Sequence, residues 1–432
     1  MQKIARISEF LKIVEKLGLV RRDIKLTDGT YQSDSSHILN LCFLTQLAAP
    51  FLNRPADSGK MLKLALVHDL VEAECGDIPL CAQKGNAGLR ELKKQQEQAA
   101  INRCREILPN SFGQMVYDLF MEYENHSTYE AQVVYVLDKL EANFSACRFG
   151  GGDVRYWADG EGGYWYYQAV MQGDTPEKPW LDKLAEPVLN RLENCALYKC
   201  RAAIKKSNIT VAGEFPPDNG RPDPQTEQLS RFLDEIEKLS LIERDNLLSA
   251  GGHETDADHI VKLCWLTLLL TPYLRQPADG DKLLKMALIH DLVEARSGDF
   301  SLSGQQGHPD WKAKKKAAEQ KAAEYFRQSL PAVVGENFYN LFREYETRQT
   351  RESKVLYALD KLEAMFQANL YNDGDIRYWA DCENGSWYYQ RNVSPRDYIA
   401  ELNEPVLAEF ENFLIELSKN NIAKCNISLC AE

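Results

Sequence analysis

A chain of 432 residues is too long for one ordinary core and suits two domains of about 200 residues each. With 51 Lys and Arg against 64 Asp and Glu the net charge is −13, which argues against a long polyanion as main ligand but allows a local arginine to hold a small phosphate. Eleven cysteines without a C-x-x-C pair describe reduced thiols of a cytoplasmic protein, and no stretch, the charged amphipathic Met1–Leu11 included, reads as a signal peptide or membrane span.

In chain order, residues 3–20 set Ile4, Ile7, Leu11, Val14 and Leu17 on one helical stripe. Arg21-Arg22-Asp23 leads into a polar loop with Asp28-Gly29. Ser33-Asp34-Ser35-Ser36 then offers N-caps for a helix that His37 opens and Pro50 ends. After a turn at 53–59, the next helix carries Leu66-Val67-His68-Asp69-Leu70-Val71-Glu72-Ala73 as one run. On it His68 and Glu72 are i,i+4 and Asp69 and Glu72 i,i+3, so all three reach one pocket. The run stops near Cys75-Gly76-Asp77, where glycine suits a left-handed C-cap and Asp77 is left at the mouth.

A looser stretch from Ile78 to Gly88 follows. Three more helices are expected: a charged one from about Leu89 to Leu108 that includes Glu97, one over Phe112–Glu124, and one from about Tyr129 to Phe149 containing Leu137-Asp138-Lys139-Leu140-Glu141-Ala142. Period-two alternation is never sustained, so the fold class is all-α.

Leu288-Ile289-His290-Asp291-Leu292-Val293-Glu294-Ala295 is a near copy of the His68 run, displaced by 290 − 68 = 222 positions. The same register relates Phe10-Leu11 to Phe232-Leu233 and Trp165-Tyr166-Tyr167 to Trp387-Tyr388-Tyr389. Two copies this long are too few for a solenoid and describe two helical domains. The Pro-rich segment 216–224 reads as an exposed, non-helical linker, giving domains 1–212 and 227–432 joined by 213–226.

The repeat serves as an internal comparison. His37/His259, His68/His290, Asp69/Asp291, Glu72/Glu294, Asp77/Asp299 and Asp138/Asp360 are matched, whereas His126, His253 and His308 face Arg348, Tyr31 and Asn86 and read as surface residues. An apolar helix holding His-Asp with a further carboxylate needs a partner for its buried charge. A divalent cation, which neutralises carboxylates and takes an imidazole lone pair, supplies one. A second repeated block, Asp153-Val154-Arg155-Tyr156-Trp157-Ala158-Asp159 and Asp375–Asp381, reads as a buried structural corner, with capping of the pocket as the alternative.

The order His37, His68-Asp69, Asp138 resembles the H…HD…D ligand set of the HD-domain metal-dependent phosphohydrolases. His-Asp-Leu-x-Glu-Ala-x-x-Gly-Asp, Glu97, Glu122-Tyr123-Glu124 and the Asp138 block resemble its 5′-deoxynucleotidase branch, over about 150 residues of each half. The resemblance implies an all-α fold and removal of phosphate from deoxyribonucleoside monophosphates. It further implies one divalent ion per repeat (Mn²⁺, Co²⁺, Fe²⁺, Mg²⁺ or Zn²⁺), and an intramolecular pseudo-dimer in place of the family's usual homodimer.

On that reading His37, His68, Asp69 and Asp138 are ligands, with His259, His290, Asp291 and Asp360 in the second site. Glu72 and Glu294 handle protons, and Asp77 and Asp299 orient water or a substrate hydroxyl. Arg22 and Arg244, 15 positions before His37 and His259, match the family's phosphate-gripping arginine. Asp23 and Asp245, however, follow where the family has an aromatic residue. Lys84 faces Gln306 and carries little weight. The alternatives are hydrolysis of another small phosphate or nucleotide, and a catalytically silent nucleotide-binding module. No nucleic-acid polymer or membrane partner is expected.

Overall fold

The computed structural model describes residues 2–78, 83, 86–148, 175–208, 220–300, 310–374 and 395–425. The first half opens with α1 (Gln2–Glu15), whose Ile4, Ile7, Leu11 and Val14 are all buried. A hairpin of β1 (Arg21–Lys25) and β2 (Tyr31–Ser33) follows. Next is α2 (Asp34–Ala48), capped by the Ser33 side chain, which accepts from the Ser36 amide. Every residue of α2 is buried, as apolar side chains on all its faces require. Around it pack α3 (Ser58–Val67), the single turn α4 (Glu72–Cys75), α5 (Ala87–Ile107), α6 (Asn110–Glu124), α7 (Tyr129–Ala146), α8 (Lys178–Leu184) and α9 (Pro187–Ser207).

The second half repeats the plan. It runs α10 (Pro224–Ile236), β3 (Glu243–Leu247), β4 (His253–Thr255), α11 (Asp256–Leu270), α12 (Gly280–Ile289), α13 (Glu294–Ser297), α14 (Trp311–Ser329), α15 (Ala332–Thr347), α16 (Arg351–Gln367), α17 (Arg396–Leu402) and α18 (Pro405–Lys424).

One continuous apolar core runs through both halves. Contacts between them come in reciprocal pairs. Phe10 packs edge-on against Trp265 with ring centroids 5.2 Å apart, and their repeat mates Phe232 and Phe43 do the same at 5.7 Å. The Thr27 amide donates to Glu237 Oε1 (2.8 Å), and the mate of Thr27, Ser249, donates its amide to the mate of Glu237, Glu15 (2.6 Å). Residue i meeting j while j′ meets i′ is the signature of a twofold-related, self-complementary interface. Trp265 is fully buried at that seam, so Trp265→Ala is expected to lower stability by roughly 3–5 kcal/mol in chemical denaturation.

Four expectations need correction. The polar stretch after Arg22 is a β-hairpin, Arg21 pairing with Ser33 and Lys25 with Tyr31, in strands too short to show alternation. The His68 run is not one helix. It breaks after Val67 into a turn where amides reach back three residues (Leu70 to Val67, 3.2 Å; Glu72 to Asp69, 3.0 Å) before α4 forms. Side chains three apart eclipse in such tighter winding, which brings Asp69 and Glu72 together.

Gly76 and Gly298 have positive φ (73° and 75°) but ψ near 160°, an extended mirror-image conformation open to glycine and not a left-handed helical cap. Finally, Pro224 is the first residue of α10, with Asp223 as its cap; proline is tolerated there because that amide has no helical acceptor. Residues 216–219, Lys84, Gln306, His308 and the repeated Arg-Tyr-Trp blocks lie outside the described residues. Of the eight described cysteines, Cys42, Cys75, Cys104, Cys147, Cys195, Cys200 and Cys264 are free thiols, and no described helix is long and apolar enough to cross a membrane.

Candidate metal centre

Three separate elements deliver one cluster. His37 comes from the first turn of α2, His68 and Asp69 from the broken end of α3, and Asp138 from the middle of α7. His37 Nε2 lies 3.2 Å from His68 Nε2, 3.6 Å from Asp69 Oδ2 and 3.1 Å from Asp138 Oδ1. His68 Nε2 lies 3.1 Å from Asp69 Oδ2 and 3.9 Å from Asp138 Oδ1. The second half reproduces this: His259 Nε2 is 3.2 Å from His290 Nε2, 3.6 Å from Asp291 Oδ2 and 3.3 Å from Asp360 Oδ1, and His290 Nε2 is 3.1 Å from Asp291 Oδ2.

The outer ring nitrogens decide what these inward atoms are. His68 Nδ1 sits 2.8 Å from the Ala65 carbonyl, which can only accept, so Nδ1 carries the hydrogen and Nε2 of the neutral ring presents a lone pair inward. His37 Nδ1 donates to Glu141 Oε2 at 2.5 Å. His290 and Ala287, and His259 and Glu363, repeat the pattern. In each half two imidazole nitrogens thus face one another and one oxygen of each aspartate lies within 4 Å of one of them in a largely buried space, an arrangement that repels itself unless a cation enters. Burial and Arg22 press the His37 pKa down, yet Glu141 and Asp138 outweigh them and hold it at about 9, so a proton meets this need when no metal does. The donor set, nitrogen and oxygen without thiolate, fits a divalent ion with open positions.

Around the cluster stand charged side chains in matched pairs. Arg22, carried on β1, places Nη1 3.1 Å from Asp69 Oδ2 and 3.4 Å from Asp34 Oδ1; Arg244 meets Asp291 and Asp256 at 3.3 and 3.1 Å. Glu72 reaches the same space, its carboxylate oxygens and those of Asp34 and Asp69 coming within 4.8 Å of one another. Its Oε1 meets Lys93 Nζ at 3.1 Å, while its Oε2 is buried with no hydrogen-bond partner among the described residues. Burial, then the charges of Asp69, Asp34 and Asp77, push the Glu72 pKa well above the usual carboxylate range, and Glu294 is raised in the same way. Asp77 and Asp299 lie near enough to act on the charge of Arg22 and Arg244.

A family model described as HD domain matches residues 14–156 and again 236–394. The chain belongs to the HD domain family. It carries two HD domains in tandem. Among relatives, it is 32% identical over 139 residues to 5'-deoxynucleotidase HDDC2 of Xenopus laevis, covering 32% of this chain and 64% of that protein. It is 28% identical over 147 residues to 5'-deoxynucleotidase HDDC2 of Homo sapiens, covering 34% and 69%. The chain therefore spans a little under two thirds of the first relative's length. A solved structure described as a predicted metal-dependent phosphohydrolase from Magnetospirillum magnetotacticum MS-1 is 24% identical, with a TM-score of 0.36, over 46% of this chain and 97% of that one.

In both HD domains the two His and two Asp singled out by sequence meet, each Asp within 4 Å of a His, with Arg22 beside Asp69, Glu72 near Asp69 and Asp77 acting on Arg22, and their mates likewise. Several others were missed or given no role. Asp34 and Asp256 pair with the arginines, and burial with neighbouring Asp69 or Asp291 and the opposing arginine leaves their pKa values at about 7. Lys93 and Lys315 hold Glu72 and Glu294. Tyr123 and Tyr345 donate to the outer oxygens of Asp138 and Asp360 at 2.6 and 2.8 Å, and Glu141 and Glu363 fix the first imidazoles. Each is matched at 222 positions, a signal that extends beyond the His-Asp core. Lys139 Nζ lies 2.7 Å from Oδ2 of buried Asp138. His126 is half-buried against Tyr135 and Trp180 and not a surface residue, whereas His253 is exposed as expected.

Proposed function

We propose that each half is a metal-dependent phosphomonoesterase unit acting on nucleoside 5′-monophosphates, deoxyribonucleotides above all. The observation that carries this is the convergence of two inward-facing imidazole Nε2 atoms and two carboxylates beside a partly buried arginine and a protonatable glutamate. The names of the relatives support the nucleotide and the deoxyribose. His37, His68, Asp69 and Asp138 would hold one divalent ion, and His259, His290, Asp291 and Asp360 a second. Such an ion, when bound, supplies Lewis-acid polarisation of a phosphate oxygen and a more acidic water.

The chain's own residues do the rest. Arg22 and Arg244 orient the phosphate dianion through the guanidinium fork. Glu72 and Glu294, their pKa values raised by burial, take and return a proton at the carboxylate oxygen that has no partner among the described residues. Asp77 and Asp299 orient water or a substrate hydroxyl. Glu141 and Tyr123 hold the inner shell in place. The reciprocal seam supports reading domains 1–212 and 227–432 as an intramolecular pseudo-dimer, and the free thiols a cytoplasmic setting.

Phosphate release from a panel of ribo- and deoxyribonucleotides, measured after chelator treatment with and without added Mn²⁺ or Co²⁺, tests the reading. Release is expected only with metal and fastest from deoxyribonucleoside 5′-monophosphates. No release from any member under any metal would leave a silent nucleotide-binding module in its place.

A further inference from the structure

The repeat that preserves every residue of the two clusters changes at four buried positions behind them, Arg148 answering to Leu370 at one of these. Gln32, Asn40 and Ser145 answer to Glu254, Lys262 and Gln367, each 222 positions on. Behind His37 the cation is Arg148, which is buried, donates to Ser145 Oγ at 3.3 Å and pairs with Glu237 at 3.0 Å. Asn40 Nδ2 donates to Glu141 Oε1 at 3.0 Å, the Ser145 hydroxyl donates to the same oxygen at 2.5 Å, and Gln32 Nε2 reaches Ser145 at 3.5 Å. Behind His259 an ion pair has entered. The Lys262 ammonium bonds to Glu254 and to Gln367 Oε1, and lies 3.0 Å from Glu363 Oε1. Lys262 and Glu254 are 2% and 0% exposed, so neither charge is tolerable without the other.

Glu254 also faces the arginine of the site: its Oε2 lies 3.7 Å from Arg244 Nε. In the first half that position is the uncharged Gln32, and Arg22 Nε is buried with no hydrogen-bond partner among the described residues. Both arginines give Nη1 to a matched pair of aspartates. Within 4 Å Arg244 therefore meets three carboxylates and Arg22 two, while Asp77 and Asp299 act on the two arginines alike from farther off. A carboxylate already beside a guanidinium competes with an incoming oxyanion for its charge and repels it directly.

We propose that the two cavities are unequal oxyanion sites. The N-terminal one is the principal site for a phosphate monoester, and Glu254, set between Lys262 and Arg244, weakens the C-terminal one by engaging Arg244. This rests on reading the cavities as phosphate-binding metal centres, and it makes positions 32/254 and 40/262 the determinants of which half is occupied first.

The test is calorimetric titration of inorganic phosphate into full-length Arg22→Ala and Arg244→Ala proteins, Mn²⁺-loaded and metal-free. Arg244→Ala, which retains the N-terminal site, is expected to bind phosphate at least about tenfold more tightly than Arg22→Ala. Adding Glu254→Gln and Lys262→Asn to Arg22→Ala should recover most of that difference. Adding Gln32→Glu and Asn40→Lys to Arg244→Ala should remove it, a second route should the first combination not fold. Equal phosphate affinities in the two single variants overturn the proposal. Protein that takes up no Mn²⁺ refutes the metal reading instead, and the metal-free titrations still decide the inequality.

Discussion

Replacing Asp69 and Asp291 together by Asn is expected to cut phosphate release by at least about 10³-fold, with the helical fold retained. Each carboxylate oxygen stands 3.1 Å from an imidazole Nε2 and takes an arginine hydrogen bond, so under the proposed function it would both bind the cation and position the phosphate group. Losing several kcal/mol of charge stabilisation at the reacting phosphate corresponds to three or more orders of magnitude in rate. The single variants divide the effect. Asp69→Asn should remove the larger share at low substrate, because Arg22 is the less encumbered arginine, and Asp291→Asn the smaller. Complete loss from either single change would contradict two independent centres. Initial rates at low and saturating deoxynucleotide, with circular dichroism as the control for folding, read all three proteins.

Glu72→Gln combined with Glu294→Gln should lower kcat by about 10²–10⁴-fold while leaving metal content unchanged. The amide keeps the shape and the contact with Lys93 or Lys315 but cannot exchange a proton. Burial and the neighbouring carboxylates push the Glu72 pKa well above the usual carboxylate range, and one of its oxygens is unclaimed by any described residue. A group with that environment inside a cleft is poised for proton transfer. Metal content measured on the same samples separates this role from ligation: loss of bound metal would make Glu72 a ligand, and an unchanged kcat would make it structural.

The arrangement of helices was readable because α2, α3 and α7 carry dense apolar runs of helical length, and because the 222-residue repeat exposed the second copy of each. The cluster was readable for the same reason: His37, His68-Asp69 and Asp138 are polar residues set where burial is otherwise complete. What escaped were features fixed by local hydrogen bonds or by distant charge. The hairpin bearing Arg22 has strands of five and three residues, too short to alternate. The break after Val67 leaves backbone angles nearly helical (His68 φ −58°, ψ −43°) and differs only in which carbonyl each amide meets.

Lys93 belongs to a highly charged helix where nothing local separates it from solvated neighbours. Only its approach to Glu72 from 21 residues away, and the identical approach of Lys315 to Glu294, gives it a place. Glu254 and Lys262 look like isolated charges in sequence, and become a pair only when β4 and α11 are folded against α16.

The central claim is that each half gathers its own cation from side chains on three elements. Anomalous diffraction from crystals of the full chain grown with Mn²⁺ measures this directly. The account predicts one strong peak enclosed by His37, His68, Asp69 and Asp138 and one by His259, His290, Asp291 and Asp360. Mn²⁺ absent from both places, or held elsewhere by other residues, would contradict it.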